Sequence, residues 1–281
     1  MKLLSAIFLF TFLYLFIAPS VAISGDMPSC YTANKLDQYM PVPEREVFVL
    51  VDQTTYLDEN LRESLRDNFV RLIQPGTAFV IADFSAFSQG RYMEIVNSGI
   101  VESKFPANVR GSISVKLLQK FDACLKDQMG YGIKLAVSSV NKSVENNSST
   151  LAKSDVMASI KDLSSRVKLS RAKEKIVIIA SDMLENSSIS SFYASKNVKK
   201  IVPVQELKLA KENEMFGDFT GARVFVLGAG IVPEDQKKGS KAVYRDPKTM
   251  RALKQFWQGY FDQSHAKLVE FGLPALLNPI K

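Results

Sequence analysis

The sequence has little of what an enzyme active site is usually built from: it contains one histidine and two cysteines in 281 residues. His265 has no Ser or Cys motif around it, so a local signature for a histidine-assisted nucleophile is missing. No Gly-x-Ser-x-Gly stretch occurs, which argues against a serine hydrolase. Gly228-Ala-Gly230 lacks the third glycine of a dinucleotide fingerprint, and no nucleic-acid recognition motif is present. We therefore expect no nucleic-acid partner and no small-molecule substrate.

Long apolar runs are also scarce, and the one that could enter a bilayer lies at the N-terminus. Residues 3–18 are almost wholly apolar, follow Lys2, and lead into Pro19 and the small residues Ser20-Val21-Ala22. This order is typical of a secretory signal peptide, predicted here as residues 1–22. The alternative is that residues 3–19 stay in the membrane as an anchor. Either way the protein is predicted to be exported, to the periplasm or the cell exterior, and low histidine with abundant lysine favours a bacterial envelope.

The remaining chain is predicted to form one domain with extensions at both ends. Residues 23–45 are polar and carry three prolines, which indicates an extended lead-in; residues 46–272 form the domain and residues 273–281 a C-terminal tail. The economical interpretation of Cys30 and Cys124 in an exported protein is a disulfide that ties the lead-in to the domain. The alternative is two unrelated thiols.

Apolar strands alternate with amphipathic helices along the domain. Continuous apolar runs predict buried strands at residues 46–52, 77–82, 175–181 and 222–227, with weaker strands at 91–101 and 265–271. Helical periodicity marks residues 57–73, 112–128 with a resumption at 133–140, 154–167, 205–213 and 248–263. Residues 141–153 read as a loop, and Ser154-Asp155 as a helix cap. The predicted fold class is α/β, a three-layer, mostly parallel doubly wound sheet of the Rossmann-like type.

Two surface features have a structural and a functional interpretation. The formal charge is +7, with basic clusters at residues 166–175, 196–200, 237–241 and 245–254. They are interpreted as solvated faces, with an acidic partner or an anionic lipid surface as the alternative. The last helix carries Phe256, Trp257, Tyr260 and Phe261, interpreted as core residues, with a partner anchor as the alternative.

Candidate site residues stand where the predicted strands end. Ligands of open parallel sheets bind beyond the carboxyl ends of the strands. The first strand ends in Asp52-Gln-Thr54-Thr55-Tyr56, the third buried strand ends in Ser181-Asp182, and Ser154 opens a helix. Such oxygens suit a hard cation such as Mg²⁺, although Asp and Ser are also ordinary turn and cap residues. The residues alone thus predict that two carboxylates and two or more hydroxyls from three loops converge on one cation.

These residues resemble the metal-ion-dependent adhesion site of the von Willebrand factor A family. Its Asp-x-Ser-x-Ser motif corresponds to Asp52 and Thr54, with Tyr56 standing where the last small hydroxyl belongs. Ser154 corresponds to the family's loop Thr, with Thr150 as a less natural substitute, and Asp182 to its final Asp. A metal site of Asp52, Thr54, Ser154 and Asp182 is what this family resemblance implies. The resemblance, from about Glu46 to Phe271 in element order, implies a von Willebrand A-like fold and a protein-binding function, with Mg²⁺ as the expected cofactor.

Function is therefore predicted to be non-enzymatic binding of a protein partner of the cell envelope. The binding surface would be residues 53–56, 141–154 and 182–188. The alternative is a haloacid-dehalogenase-like phosphatase that uses Asp52 as nucleophile. That class places a second Asp two residues later, where this chain has Thr54, and no paired acidic motif follows a later strand.

Overall fold

The computed structural model describes residues 27–88, 91–145, 154–194, 197–232 and 246–281. The predicted signal peptide (1–22), the alternative anchor (3–19), Thr150 and the basic cluster at 237–241 lie outside these ranges. Within them, no helix combines the length and apolarity needed to cross a membrane.

A six-stranded sheet forms the centre of the domain. In chain order the strands are β1 (Arg45–Asp52), β2 (Thr77–Ser88), β3 (Arg91–Val101), β4 (Glu174–Ala180), β5 (Tyr193–Ala194), β6 (Asn197–Val198), β7 (Arg223–Leu227) and β8 (Lys267–Phe271). The sheet order is β3-β2-β1-β4-β7-β8, while β5 and β6 form a second, two-stranded sheet. All pairings in the sheet are parallel except that of β3 with β2. The predicted edge strand at 91–101 and last strand at 265–271 are thereby confirmed.

Helices cover both faces of this sheet. They are α1 (Cys30–Ala33), α2 (Glu59–Leu72), α3 (Ala107–Arg110), α4 (Val115–Glu145), α5 (Val156–Leu169), α6 (Pro203–Glu212) and α7 (Pro247–Gln263). The apolar sides of α2 and α4 pack on one sheet face, and those of α5, α6 and α7 on the other. β1 and β4 are buried on both faces, as their unbroken apolar runs predicted. The predicted three-layer α/β fold with a mostly parallel sheet is confirmed.

Helix α4 is one element of 31 residues and not two. Gly132 lies inside this unbroken helix. A side chain there would lie 2.8 Å from Val101 and 2.9 Å from Met27, so glycine at this position permits close packing. The prediction of a loop at 141–153 is wrong for residues 141–145. Val140 and Val144 continue the buried stripe of the helix through that polar stretch. Residues 146–153 lie outside the described part.

The lead-in is folded onto α4, so the prediction of an extended segment is wrong for residues 27–40. Cys30 and Cys124 form a disulfide with a Cα–Cα distance of 5.8 Å, as predicted. Tyr31 is fully buried and packs edge-on against Phe105 and Phe121. The sequence did not reveal this docking, because its apolar anchors, Tyr31 and Leu36, are isolated within a polar segment and form no periodic pattern.

A buried carboxylate completes the docking of the lead-in. Glu102, 7% exposed, accepts hydrogen bonds from Ser29 Oγ and from the backbone N–H of Cys30 at 2.7 Å. Gln128 bridges the two segments, because its Nε2 donates to the Pro28 carbonyl at 2.9 Å and to Glu102 at 3.0 Å. The charge of Glu102 is thus satisfied by groups of the lead-in and of α4.

The C-terminal residues also pack onto the domain. Ile280 is buried, and its N–H donates to Asn68 Oδ1 on α2 at 2.8 Å. The aromatic residues of α7 are fully buried, so the interpretation as core is correct and the partner anchor is wrong. Trp257 Nε1 donates to the Met183 carbonyl at 2.8 Å, which satisfies the polar end of the indole inside the core.

Candidate functional site

The candidate site lies where the order of the sheet reverses. From β1 the chain builds outward through β2 to β3, and from β4 it builds in the opposite direction through β7 to β8. β1 and β4 are direct parallel neighbours, so their carboxyl ends border a crevice of the kind that holds ligands in doubly wound sheets. Asp52 is the last residue of β1, and Ser181 and Asp182 directly follow β4.

Asp52 is fully buried and accepts hydrogen bonds mainly from hydroxyl groups. Its Oδ1 accepts from the Thr54 backbone N–H at 2.9 Å and from Thr54 Oγ1 at 2.6 Å. Its Oδ2 accepts from Ser181 Oγ at 2.7 Å. Ser154 Oγ lies 3.4 Å from Oδ2 and 3.5 Å from Oδ1, so it faces both carboxylate oxygens. Three hydroxyls from three loops therefore converge on one carboxylate.

Asp182 is held in a fixed orientation beside Asp52. Its Oδ1 accepts from the Leu184 N–H at 2.8 Å, and its Oδ2 accepts from the Tyr193 hydroxyl. Its own backbone N–H donates to Thr55 Oγ1 at 3.0 Å, which connects the loop after β4 to the loop after β1. The two carboxylate loops are thus joined directly, without an intervening element.

The loop after β7 closes the crevice from the side of β4. A side chain at Gly228 (φ 94°) would lie 3.0 Å from the Ser181 carbonyl, so this position requires glycine on grounds of both space and conformation. Gly230 donates its N–H to the Asp182 carbonyl at 2.8 Å. These glycines, which make a weak dinucleotide motif, instead allow the loop to pack against the residues after β4.

Ser154 does not cap α5, so that prediction is wrong. Its backbone forms a bridge with Asn186, which places its hydroxyl toward Asp52. In the first turn of α5, the Met157 N–H donates instead to Oε2 of Glu185, at 2.8 Å, and Glu185 belongs to the loop after β4. The N-terminus of α5 is therefore tied to the same loop that carries Asp182.

Burial shifts the acid–base equilibria of this cluster in one direction. Burial raises the pKa of Asp52 in spite of the hydrogen bonds from Thr54 and Ser181. Burial and then the charge of Asp52 raise the pKa of Asp182 well above its usual range. Burial also raises the pKa of Glu185 to about 7. Negative charge is thus disfavoured here in the absence of a cation.

The structure brings together all four residues of the predicted metal site. Tyr56 stands apart: its side chain is 43% exposed, and the Arg62 guanidinium lies 5.3 Å from its ring centroid. Within the described residues, no group of three or more His, Cys, Asp and Glu side chains could hold a metal, so hydroxyl oxygens would have to complete the ligand set.

Four other residues contribute to the site: Thr55, Ser181, Glu185 and Tyr193. Thr55 and Ser181 are hydroxyls at the ends of predicted strands, and Glu185 falls within the predicted binding surface at 182–188, but none of the three was assigned to the metal site. Tyr193 was not predicted, because it lies in the two-residue strand β5, which is too short for a periodic signal.

No protein-family model and no curated protein matches the sequence. Among solved structures, the chain is similar to an aerotolerance-related membrane protein from Bacteroides fragilis NCTC 9343 with multiple mutations to serines. The likeness has a TM-score of 0.34 at 12% identity and covers 80% of this chain and 90% of that chain. A TM-score at this level carries no argument about function, and the fold stands on the strand order described above.

Proposed function

We propose that this chain is an exported, non-enzymatic domain of the cell envelope that binds a protein partner. Binding takes place at the rim, defined as residues 53–56, 141–154 and 182–188. One observation supports this above the others: Asp52, Thr54, Ser154 and Asp182 meet at the switch point of a doubly wound sheet. In doubly wound sheets ligands bind at this edge, so the side chains that meet there are the ones expected to take part in binding.

The chemistry of the cluster favours a hard divalent cation. The carboxylates of Asp52 and Asp182 and the hydroxyls of Thr54 and Ser154 are oxygen donors, which Mg²⁺ prefers. Both carboxylates have raised pKa values because they are buried, and Asp182 also because of the charge of Asp52. A cation held by these residues would stabilise their charged forms. When bound, it would offer a coordination position to a carboxylate of the partner.

The phosphatase alternative has weaker support. A nucleophilic Asp52 would need an accessible oxygen, but the side chain is fully buried and both of its oxygens accept hydrogen bonds. Thr54 stands where the second acid is required and donates to Asp52. Turnover of a generic phosphate ester by the purified protein, lost in Asp52→Asn, would favour this alternative over the binding domain.

Calorimetric titration with Mg²⁺ and Mn²⁺ tests the metal site. We expect binding to the unmodified protein and no binding to Asp52→Asn, with Asp162→Asn as a matched control on the exposed side of α5. Tyr56→Ser supplies a third small hydroxyl at the position where the resemblance expects one, and should tighten binding. Equal heats from the protein and from Asp52→Asn would contradict the site.

Partner capture is tested separately from metal binding. Asp182→Asn keeps the acceptor for the Leu184 N–H and should preserve the fold while weakening capture of envelope proteins in a pull-down. Capture that is unchanged in both Asp182→Asn and Asp52→Asn would move the binding surface away from the rim.

A further inference from the structure

Helix α4 extends well beyond the sheet at the end opposite to the rim. At its upper end, the Ser143 carbonyl accepts from Gln53 Nε2 at the rim. Nearer the N-terminus of α4, Gln128 Oε1 accepts from the Glu102 N–H at 2.9 Å. Glu102 directly follows β3, whose last residue pairs with the first residue of β2, so this bond marks the lower edge of the sheet. The residues of α4 before Gln128 therefore lie past the lower edge of the sheet, over about 20 Å at 1.5 Å per residue.

The lead-in joins the domain at this lower end. Met27 contacts Gly132 and Gly99, and the segment that follows is fixed by Glu102 and by the disulfide to Cys124. Only seven residues separate Pro19 from Met27 in the sequence. They span at most about 29 Å when fully extended. An anchor at residues 3–19 would therefore hold the lower end of α4, and not the rim, close to the bilayer.

The exposed surface of this overhang is basic. Lys116, Lys120 and Lys126 are exposed on the overhang, and Lys134 is exposed just above it on α4. None of the four forms an ion pair with another described residue. Lys104 is exposed beside them, near Asp122. Asp122 itself is paired with Arg110, so Asp127 is the exposed carboxylate on this stretch of α4.

From this arrangement we propose that the basic overhang, defined as the exposed lysines of residues 104–134, binds an anionic lipid surface. Lysines close to a negatively charged bilayer each strengthen attachment, and the attraction falls off within a Debye length. The anchor and the seven residues that follow it keep the overhang close to the bilayer, because a linked module samples the nearby surface at high effective concentration. The rim, at the other end of α4, then points away from the membrane toward the partner. The inference rests on the proposed export and on the alternative in which residues 3–19 stay in the membrane as an anchor.

Lysine acylation of the full-length protein in vesicles tests the proposal. One vesicle type is phosphatidylcholine alone, and the other is an equal mixture of phosphatidylcholine and phosphatidylglycerol. In the mixed vesicles, acylation of Lys116, Lys120, Lys126 and Lys134 should fall by about fivefold relative to the neutral vesicles and recover in high salt. Lys199, Lys200 and Lys254 lie on other elements, are exposed, and should react equally in both.

Two variants control for indirect effects, with Lys104 as the reporter. The variant Lys116→Gln, Lys120→Gln, Lys126→Gln, Lys134→Gln should lose the lipid-dependent protection of Lys104. The matched variant Lys199→Gln, Lys200→Gln, Lys208→Gln, Lys254→Gln should retain it. Equal acylation in the two vesicle types, or protection that extends to Lys199 and Lys254, would overturn the proposal. Metal binding by the rim is unaffected by either result, so failure here is distinct from failure of the proposed function.

Discussion

Glu185 offers the sharpest test of the electrostatics of the site. Its side chain is 1% exposed, and Oε2 accepts from the Met157 N–H at the start of α5. Burial, reinforced by the charge of Asp155, raises its pKa from 4.5 to about 7. Glu185→Gln keeps an acceptor for the Met157 N–H but cannot become charged. The substitution therefore separates the role of Glu185 as a helix cap from its acid–base behaviour.

The sign and size of the effect follow from proton linkage. Between the unfolded pKa of 4.5 and the folded pKa of about 7, the folded chain binds more protons at this group than the unfolded chain. The contribution of Glu185 to stability is therefore fully present below pH 4.5 and is lost as the pH rises to about 7. At 1.36 kcal/mol per pKa unit, the loss is about 3 kcal/mol. Relative to the unmodified protein, Glu185→Gln should gain that amount across this window.

Urea unfolding of both proteins over this pH range measures the difference. Taking the difference between the two chains cancels the titration of Asp52, Asp182 and Asp83, whose pKa values are also raised. Glu63→Gln, at an exposed position on α2, serves as the matched control for replacing a glutamate by glutamine. A stability difference between Glu185→Gln and the unmodified protein that stays constant with pH would refute the reasoning. Glu185 would then act only as a cap.

Three further substitutions have predicted effects on stability. Cys30→Ser with Cys124→Ser opens a bridge across a sequence separation of 94 and should lower the free energy of unfolding by about 4–5 kcal/mol in urea; a loss below about 1 kcal/mol would mean that the contacts of Glu102 suffice. Ser181→Ala removes the acceptor of the Met183 N–H and one hydroxyl donor to the buried Asp52 carboxylate. It should destabilise the protein by about 1–3 kcal/mol in thermal unfolding, and an unchanged midpoint would contradict that. Trp257→Phe removes the indole donor to the Met183 carbonyl and should have an effect of similar size, about 1–3 kcal/mol, whereas a fully retained midpoint would argue against the bond.

The layers of the fold were predictable because their signals are periodic and local. The runs that became β1 and β4 are unbroken and apolar, as strands covered on both faces must be. The stripe of α7 carries the aromatic residues that became its buried side. The prediction of secondary structure failed where polar residues lie inside a helix. Residues 141–145 looked like a loop because Asn, Lys and Ser predominate, although the buried Ser143 and Val144 continue α4.

The candidate site was only half predictable, and the reason is physical. Asp52, Thr54 and Asp182 follow strands, so the geometry of a parallel sheet brings them together without knowledge of loop structure. Glu185 reaches the site from the irregular loop after β4, and Tyr193 from the two-residue strand β5, and neither segment has a periodic signal. The hydroxyl of Ser154 faces Asp52 and does not cap α5. The sequence could not decide between the two roles, because a serine before a helix serves either purpose.

The bridge between Cys30 and Cys124 also determines how the chain matures. The protein has no third cysteine, so a single molecule cannot form a wrong disulfide, and an incorrect bridge can arise only between two molecules. In a chain delivered N-terminus first, Cys30 emerges 94 residues ahead of its partner and remains an unpaired thiol during that interval. Maturation therefore requires an oxidant but no internal reshuffling of disulfides. Its characteristic error is a covalent dimer formed while two such chains are still incomplete.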